Sequence, residues 1–217
     1  RNVYALRIDH QAASNDSTLT GGQINIWSGG LIVDNRDNAR VDFSTTAVYF
    51  GDGTTAREAL INVDENNLRF GAAVTAANLT KSGVGGLHIA STNNPGITGT
   101  VQINAGTLFL DHNGTGSGPI GNATIRLHAD HANNFNTATN TTGGQMPILA
   151  LRTDSASRTY NNSVIISENV PLARIDTNRY SGSANGTITI QNLTIEGTST
   201  LQGTLLQFQN NNSYNFA

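Results

Sequence analysis

The sequence predicts an all-β fold of the solenoid type, in which short strands coil into a parallel β-helix. Three observations predict it: short runs of alternating apolar residues, frequent Gly and Asn between the runs, and a strand–corner–strand motif that recurs along the chain. We expect one domain, residues 1–217, with roughly nine to eleven coils of about 20–25 residues each. At about 4.8 Å between neighbouring strands, such a domain is a rod about 45–50 Å long.

The composition indicates many tight turns and a neutral polar surface. The chain has 217 residues, including 23 Gly and 28 Asn, and only 12% are charged. An ordinary soluble domain is about one quarter charged. Asn hydrogen-bonds to its own turn and tolerates the left-handed backbone region. Amide and hydroxyl side chains must therefore supply most of the surface polarity.

The charge and the missing cysteines exclude several functions. The net charge is −3, Lys81 is the single lysine, and there is no Cys. Nucleic-acid grooves and anionic-membrane sites need clustered cations, so we expect neither partner. Without Cys there is no disulfide, zinc-thiolate site or thiol nucleophile. No apolar run is long enough to span a membrane as a helix.

Period-two alternation places the strands in order along the chain. The central stretch Leu79–Leu127 has four alternating pairs: Leu87 and Ile89, Val101 and Ile103, Leu108 and Leu110, and Ile125 and Leu127. The other predicted strands are Tyr4–Ile8, Gln23–Trp27, Leu31–Val33, Arg40–Phe43, Ala47–Phe50, Ala59–Val63, Asn67–Phe70, Ile148–Arg152, Ser163–Ser167, Leu172–Ile175, Thr187–Ile190, Leu193–Ile195 and Thr204–Phe208.

Two segments fall outside this pattern. Thr55–Leu60 has helix-forming residues but is too short for an independent helix, so we interpret it as a turn that leads into a strand. Ala129–Gln145 is rich in Asn, Thr and Gly and is predicted to be a long loop.

An internal repeat favours a solenoid. Ile24–Asn35 aligns with Val101–His112, which places Gly29 on Gly106 and Asp34 on Asp111, and Ile188–Gly203 is a looser third copy. Each copy is two short strands joined by a corner, a unit that buries its apolar face only by stacking on further copies. The alternative is an antiparallel sandwich, which also uses many short strands. It gives no reason for the same motif to recur in register.

The residues from Leu79 to Leu110 carry a resemblance to a known family. The chain has L-T-K-S-G-V-G-G-L-H-I from Leu79 to Ile89, then Asn93-Asn94, then T-G-T-V-Q-I-N-A-G-T-L from Thr98 to Leu108. This resembles the autotransporter-associated β-strand repeat of bacterial surface proteins. It departs from the family at Pro95-Gly96-Ile97, where a tyrosine is common.

The resemblance implies a fold and a role. The implied fold is a right-handed single-stranded parallel β-helix at the cell surface or in the extracellular space. The implied role is that of a structural or adhesive stalk, passenger or fibre subunit, without catalytic residues.

Two clusters have residue types that bind metals, and we interpret both as structural. His128-Ala129-Asp130-His131 alternates ligands that suit zinc, but no second His pair lies near it. Asp34-Asn35-Arg36-Asp37-Asn38 offers oxygen ligands that suit calcium, but it lacks the glycine and distal Glu of an EF-hand loop. We therefore assign no metal, cofactor or catalytic residue.

The main alternative is a β-helix lyase or hydrolase that acts on polysaccharides. Glycoside hydrolysis needs two carboxylates roughly 5–10 Å apart. Asp34 and Asp111 share a motif position but are far apart in sequence, and Lys81 lies inside a structural repeat. The carboxylates that a coil arrangement would align are Asp9, Asp42, Asp64 and Asp154.

A third hypothesis is a carbohydrate-binding module, which needs an exposed row of aromatic side chains. Aromatics are only 6% of the chain, so that row would consist mainly of Tyr49, Phe50, Phe70 and Phe109.

The expected partners follow from the fold. A β-helix has two open ends with unpaired backbone groups, here near Arg1–Ile8 and Gln207–Ala217, which predicts end-to-end self-association. A host-surface or matrix glycan or protein receptor would be contacted by loops, with Ala129–Gln145 as the first candidate.

Overall fold

The computed structural model describes residues 1–10, 16–35, 39–90, 96–113, 118–128, 146–168, 170–182, 185–197, 205–212 and 214–217. All regular elements among these residues are β-strands. The strands are β1 Asn2–Val3, β2 Leu6–His10, β3 Ser17–Leu19, β4 Ile24–Ile26, β5 Gly30–Asn35, β6 Arg40–Phe43, β7 Val48–Phe50, β8 Ala59–Val63, β9 Asn67–Phe70, β10 Val74–Thr75, β11 Leu79–Ser82, β12 Gly86–Ile89, β13 Thr100–Ile103, β14 Gly106–Asp111, β15 Thr124–Leu127, β16 Pro147–Arg152, β17 Ser157–Ile166, β18 Leu172–Asn178, β19 Gly186–Ile195, β20 Leu205–Asn210 and β21 Tyr214–Phe216.

The strands form three parallel sheets, as expected of a parallel β-solenoid. The four-stranded sheet has the order β1-β4-β7-β10, and the nine-stranded sheet has the order β2-β5-β8-β11-β13-β15-β17-β19-β21. The eight-stranded sheet has the order β3-β6-β9-β12-β14-β16-β18-β20. The chain therefore visits the sheets in turn, and each visit adds a strand beside the one from the previous visit.

Alternation along each strand builds the core. In β9, Leu68 and Phe70 are buried, while Asn67 and Arg69 are on the outer face. The register between neighbouring strands places Phe43 beside Phe70, with a ring-centroid distance of 5.4 Å. One continuous cluster of buried apolar residues extends from Ile26 to Tyr214. Each fully buried aliphatic side chain contributes about 1.5–3 kcal/mol.

Glycine makes the corners sharp. Gly106, at the start of β14, has φ of 67°, and a Cβ there would lie 2.5–2.7 Å from three carbonyl oxygens of residues 83–85. Gly29 has φ of 80° and a comparable conflict with the carbonyl oxygen of Glu58. Only glycine combines this backbone conformation with so close an approach of the neighbouring coil.

The all-β, parallel prediction is confirmed, and the antiparallel sandwich is wrong. Every strand pair within the three sheets is parallel. In the described ranges, the antiparallel contact is an isolated bridge between Gly51 and Ala56. The segment Thr55–Leu60 is a turn that leads into β8, as predicted.

The predicted repeat is correct in its local shape but wrong in its stacking. The first copy, Ile24–Asn35, runs from the four-stranded to the nine-stranded sheet, whereas Val101–His112 runs from the nine-stranded to the eight-stranded sheet. The two copies therefore turn different corners of the solenoid, and Asp34 and Asp111 are on different sheets. The shared Gly position reflects a need for left-handed backbone at both corners.

Three further differences concern strand assignment. The predicted pair Thr187–Ile190 and Leu193–Ile195 is one strand, β19, so Ile188–Gly203 does not repeat the corner between them. A register irregularity in the pairing of β17 with β19, between Tyr160 and Ser163, accounts for the break in alternation. The short strands β3 and β10 were not predicted, because each has at most two apolar residues.

No described residue belongs to a helix that is long and apolar enough to cross a membrane.

Candidate functional site

The densest group of ionisable side chains is on the outer face of the eight-stranded sheet. Register aligns Asp42, Arg69, His88 and Phe109 in one outward column across β6, β9, β12 and β14. Arg69 donates from one nitrogen to both oxygens of Asp42, at 3.2 and 3.0 Å. We call these four residues, together with Asn67, Asp111, Arg152 and Tyr180, the outer-face cluster.

Arg152 is the centre of the outer-face cluster. Its Nε donates to Asp111 Oδ1 at 2.6 Å, and a terminal nitrogen donates to His88 Nδ1 at 2.8 Å. Its guanidinium also lies over the rings of Phe109 and Tyr180, with distances of 4.7 and 5.4 Å to the ring centroids. A planar cation held between two rings and a carboxylate has little freedom to move.

The contacts of His88 fix its tautomer. Because Nδ1 accepts a hydrogen bond from Arg152, Nε2 carries the proton and donates to Asn67 Oδ1 at 3.0 Å. The ring stacks on Phe109 with a centroid distance of 4.0 Å. Burial, and next to it the charge of Arg152, hold the pKa of His88 below its usual value despite nearby Asp111. His88 is therefore neutral at pH 7, with both nitrogens engaged.

Asp111 is ionised although it is buried. Burial raises the pKa of Asp111, but the hydrogen bond and the charge of Arg152 outweigh burial and hold the pKa below its ordinary value. Its second oxygen lies 3.6 Å from His88 Nδ1, too far for a hydrogen bond. This arrangement joins β12, β14 and β16 through buried charge and through hydrogen bonds made within the cluster.

Lys81 lies inside the core. Register places it in an inward column between Ile61 and Ile103, and it is fully buried. Its Nζ donates to the carbonyl oxygens of Ser82, Gly83 and Ala105, at 2.8, 2.7 and 3.0 Å. Burial lowers the pKa of Lys81 to about 7, opposed by the charge of Asp64. The single lysine thus binds backbone carbonyls at a corner, in agreement with its predicted place in a structural repeat.

Of the four carboxylates predicted to align, Asp9 and Asp64 lie in one row, which also contains Asp34, whereas Asp42 and Asp154 do not belong to it. Asp9 and Asp34 pair in register on β2 and β5, and the pairing of Val33 with Val63 continues the row to Asp64. Arg7 lies 3.9 Å from Asp9 and 3.6 Å from Asp34. We call Asp9, Asp34 and Asp64 the acidic row.

The other predicted carboxylates lie apart from the acidic row. Asp42 and Asp111 are in the outer-face cluster, on another sheet. Asp154 holds a turn, since its Oδ1 accepts from the backbone N–H groups of Ser181 and Gly182 at 2.8 and 2.7 Å. Asp34 and Asp111 are therefore no catalytic pair.

The two metal-ligand patterns are only partly within the described ranges. In the calcium pattern, Asn35 is buried, donates to the carbonyls of Ala39 and Asn67, and accepts from Asn66 through its own carbonyl. Residues 36–38 lie outside the described residues. In the zinc pattern, His128 follows β15, while residues 129–131 and the predicted loop Ala129–Gln145 lie outside them. Within the part of the chain that is described, no three His, Asp or Glu side chains form a group that could hold a metal ion.

The predicted aromatic row is wrong. Phe50 and Phe70 are in the core, 0% and 1% exposed, and Phe109 belongs to the outer-face cluster. Of the four predicted residues, Tyr49 is the one on the outer face of the four-stranded sheet. The positions alternate so that Val48 and Phe50 point inward, which the sequence pattern already indicated.

Each end of the described part of the solenoid has a cavity. A cavity of about 460 Å³ at the first coil is lined by residues that include Leu19 and Gln23, and one of about 470 Å³ at the last coil is lined by residues that include Ile175 and Phe208. The strands at the second end leave several large apolar side chains 36–54% exposed: Leu193, Ile195, Leu205 and Phe208.

Comparison with known proteins does not identify a relative. No family model matches the chain, and neither a curated protein nor a solved structure matches it significantly.

Proposed function

We propose that this chain is a structural and adhesive module with a right-handed single-stranded parallel β-helix fold. The nine-stranded sheet gains one strand at each passage of the chain, which supports a coil count near the lower end of the predicted nine to eleven. The right-handed winding rests on the resemblance of Leu79–Leu110 to the autotransporter-associated repeat.

The observation that carries the proposal is that the buried ionisable groups are committed to holding coils together. Lys81 binds three backbone carbonyls, and Arg152 on β16 binds Asp111 on the neighbouring β14 and His88 on β12, one strand further. Such groups stiffen a rod. A stalk, passenger or fibre subunit of a bacterial surface or secreted protein needs a stiff, protease-resistant rod, and its location is proposed to be extracellular or on the cell surface.

Adhesion by the purified chain tests this function. Beads coated with the chain are expected to adhere to epithelial monolayers more than beads coated with albumin, and limited proteolysis at neutral pH is expected to leave the coils intact. Adhesion equal to that of the albumin beads would refute the adhesive role. Rapid digestion of the coils would refute the structural role.

The second candidate function is a polysaccharide lyase or hydrolase, and the acidic row favours it. Asp9 and Asp34 are on neighbouring strands, about 4.8 Å apart in backbone spacing. This is close to the 5–5.5 Å carboxyl separation of retaining glycosidases. However, Arg7 lies within 4 Å of both carboxylates.

Turnover assays separate the two functions. The wild-type chain is incubated with neutral and uronate polysaccharides, and reducing ends and unsaturated products are measured. The structural proposal expects no release above buffer. The enzyme would be established instead by product release that is lost in Asp34→Asn and unchanged in Asp52→Asn, which alters a carboxylate outside the row.

We also propose that the open ends associate with one another. At both ends the edge strands have apolar side chains that point toward the axis: Leu6 and Ile8 at the first, and Leu206 and Phe208 at the second. Light scattering at increasing protein concentration is expected to show head-to-tail oligomers. A chain that stays monomeric at high concentration would contradict this.

No nucleic-acid partner is proposed, because the cations are few and scattered.

A further inference from the structure

We propose that the outer face of the four-stranded sheet binds an uncharged oligosaccharide through Tyr4, Trp27 and Tyr49. This inference deepens the adhesive function proposed above, and rests on it, by naming the class of ligand. It differs from the aromatic row that the sequence predicted, because it combines Tyr49 with Tyr4 and Trp27 in place of Phe50, Phe70 and Phe109.

Register brings Tyr4 and Trp27 side by side. Val3 pairs with Ile26, and the N–H groups of Trp27 and Ser28 donate to the carbonyls of Val3 and Tyr4, at 2.9 and 2.7 Å. Ile26 is buried in the core, whereas Tyr4 and Trp27 lie in the turns that follow β1 and β4 and are exposed to solvent. They are 79% and 46% exposed, and the strands that they follow, β1 and β4, are about 4.8 Å apart.

Tyr49 extends this aromatic surface to a third strand. It lies on β7 between buried Val48 and Phe50, and it pairs with Asn25. Gly51 follows on the same strand edge, where its N–H donates to Ile26 O at 2.9 Å. A Cβ on Gly51 would lie 3.0 Å from Tyr49 Cε1, so the tyrosine ring lies against Gly51, next to the strand of Trp27.

Amide side chains accompany the rings. Asn25 lies between Asn2 and Tyr49 in the outward column, and its Nδ2 donates to Asn2 Oδ1 at 2.8 Å. Gln23 in turn donates to Asn25 Oδ1 at 2.6 Å. Amides of this kind offer both donors and acceptors to sugar hydroxyls, while the rigid rings supply contact area at low entropic cost.

The charge of this face favours an uncharged ligand. The two outward columns, Asn2-Asn25-Tyr49-Thr75 and Tyr4-Trp27-Gly51-Ala77, have no ionisable group other than the tyrosine phenols. The adjoining turn contributes Asp52, whose Oδ1 accepts from the N–H groups of Thr54 and Thr55 at 2.8 and 2.7 Å. The exposed cation Arg57 lies close enough to Asp52 for their charges to interact, so the border carries both signs and the two columns themselves carry none. A pyranose ring, with an apolar C–H face and a rim of hydroxyls, matches rings flanked by amides.

The chain provides its own reporter, because Trp27 is the single tryptophan. Trp27 emission is titrated with cellohexaose, mannohexaose and maltohexaose, and with hexagalacturonate as the acidic comparator. We expect a saturable change in emission with at least one neutral probe. Tyr4→Ala, followed by emission, and Trp27→Ala, followed by calorimetry, are expected to weaken binding about tenfold or more.

Ile32→Ala is the matched control. Ile32 is 44% exposed on the outer face of the neighbouring nine-stranded sheet, so its loss removes exposed apolar surface outside the site. It is expected to change affinity less than twofold. Circular dichroism checks that each variant is folded. If Trp27→Ala unfolds, Tyr4→Ala tests the site by itself, because its ring is mostly in solvent.

Three results would overturn the inference: no response to any neutral probe, tighter binding of hexagalacturonate, or a loss in Ile32→Ala equal to that in Tyr4→Ala. If the neutral probes fail while coated beads still adhere to cells, the glycan site is wrong and the adhesive function stands. If the beads also fail, both are wrong.

Discussion

Replacing Lys81 by Met should remove a pH dependence from the stability of the fold. Lys81 has an ordinary pKa of 10.5, which burial lowers to about 7 in the folded chain. Between these two values the unfolded chain binds a proton that the folded chain does not, so stability rises as the pH rises from about 7 to about 10.5. Below pH 7 both states are protonated, and the cost of burying the charge is fully present.

The size of the effect follows from the difference between the two pKa values. At about 1.4 kcal/mol per unit, the wild-type chain gains up to about 5 kcal/mol across this pH range. Met fills a similar volume between Ile61 and Ile103 and does not titrate, although it leaves three carbonyls without their donor. Each such carbonyl costs about 1–3 kcal/mol.

Urea unfolding at pH 7, 8.5 and 10 measures this. The free energy of unfolding of the wild-type chain minus that of Lys81→Met is expected to grow by several kcal/mol from pH 7 to 10. Arg57→Met, which removes an exposed cation, should follow the wild-type pH profile. If Lys81→Met also ran parallel to the wild type, Lys81 would keep an ordinary pKa and the reasoning would be refuted.

Other predictions concern the corners and the outer-face cluster. Gly106→Ala should destabilise the fold by about 2–4 kcal/mol, because the added Cβ meets three carbonyl oxygens at a positive φ; Gly22→Ala, with open space around it, should shift the urea midpoint little. Asp111→Asn leaves Arg152 buried without its anion and should cost about 3–5 kcal/mol in the same assay, and an unchanged midpoint would contradict the proposed ion pair. Below pH 6.5 the wild-type chain should lose stability, because the lowered pKa of His88 lets the unfolded state bind a proton before the folded state does. His88→Gln should reduce this loss, and identical acid profiles of the two chains would count against a buried neutral imidazole.

The strands could be predicted because their pattern is local. Alternation of Val, Ile and Leu with polar residues decides which side chains enter the core, as in β9 and β13. Sheet membership was not predictable in the same way. Ile24–Asn35 and Val101–His112 look alike because both turn a corner at a left-handed Gly, and the number of strands per coil is set by long-range stacking.

The sites were harder to predict than the strands. The outer-face cluster joins His88, Asp111 and Arg152, which are up to 64 residues apart, and nothing local connects them. The aromatic face had a usable signal that the sequence prediction missed. Phe50 shares the inward parity of Val48, whereas Trp27 follows the inward Ile26 and must point to solvent.

The end of the four-stranded sheet at β10 has a mechanical consequence. Among the described residues, this sheet continues past Thr75 only as the single bridge between Ala76 and Ile97, while the other two sheets run on to β20 and β21. A three-walled tube resists bending in every direction, whereas two facing sheets form a slab that flexes most easily across its thin dimension. We therefore expect the part of the rod that carries Trp27, where three parallel sheets enclose one core, to resist bending in every direction.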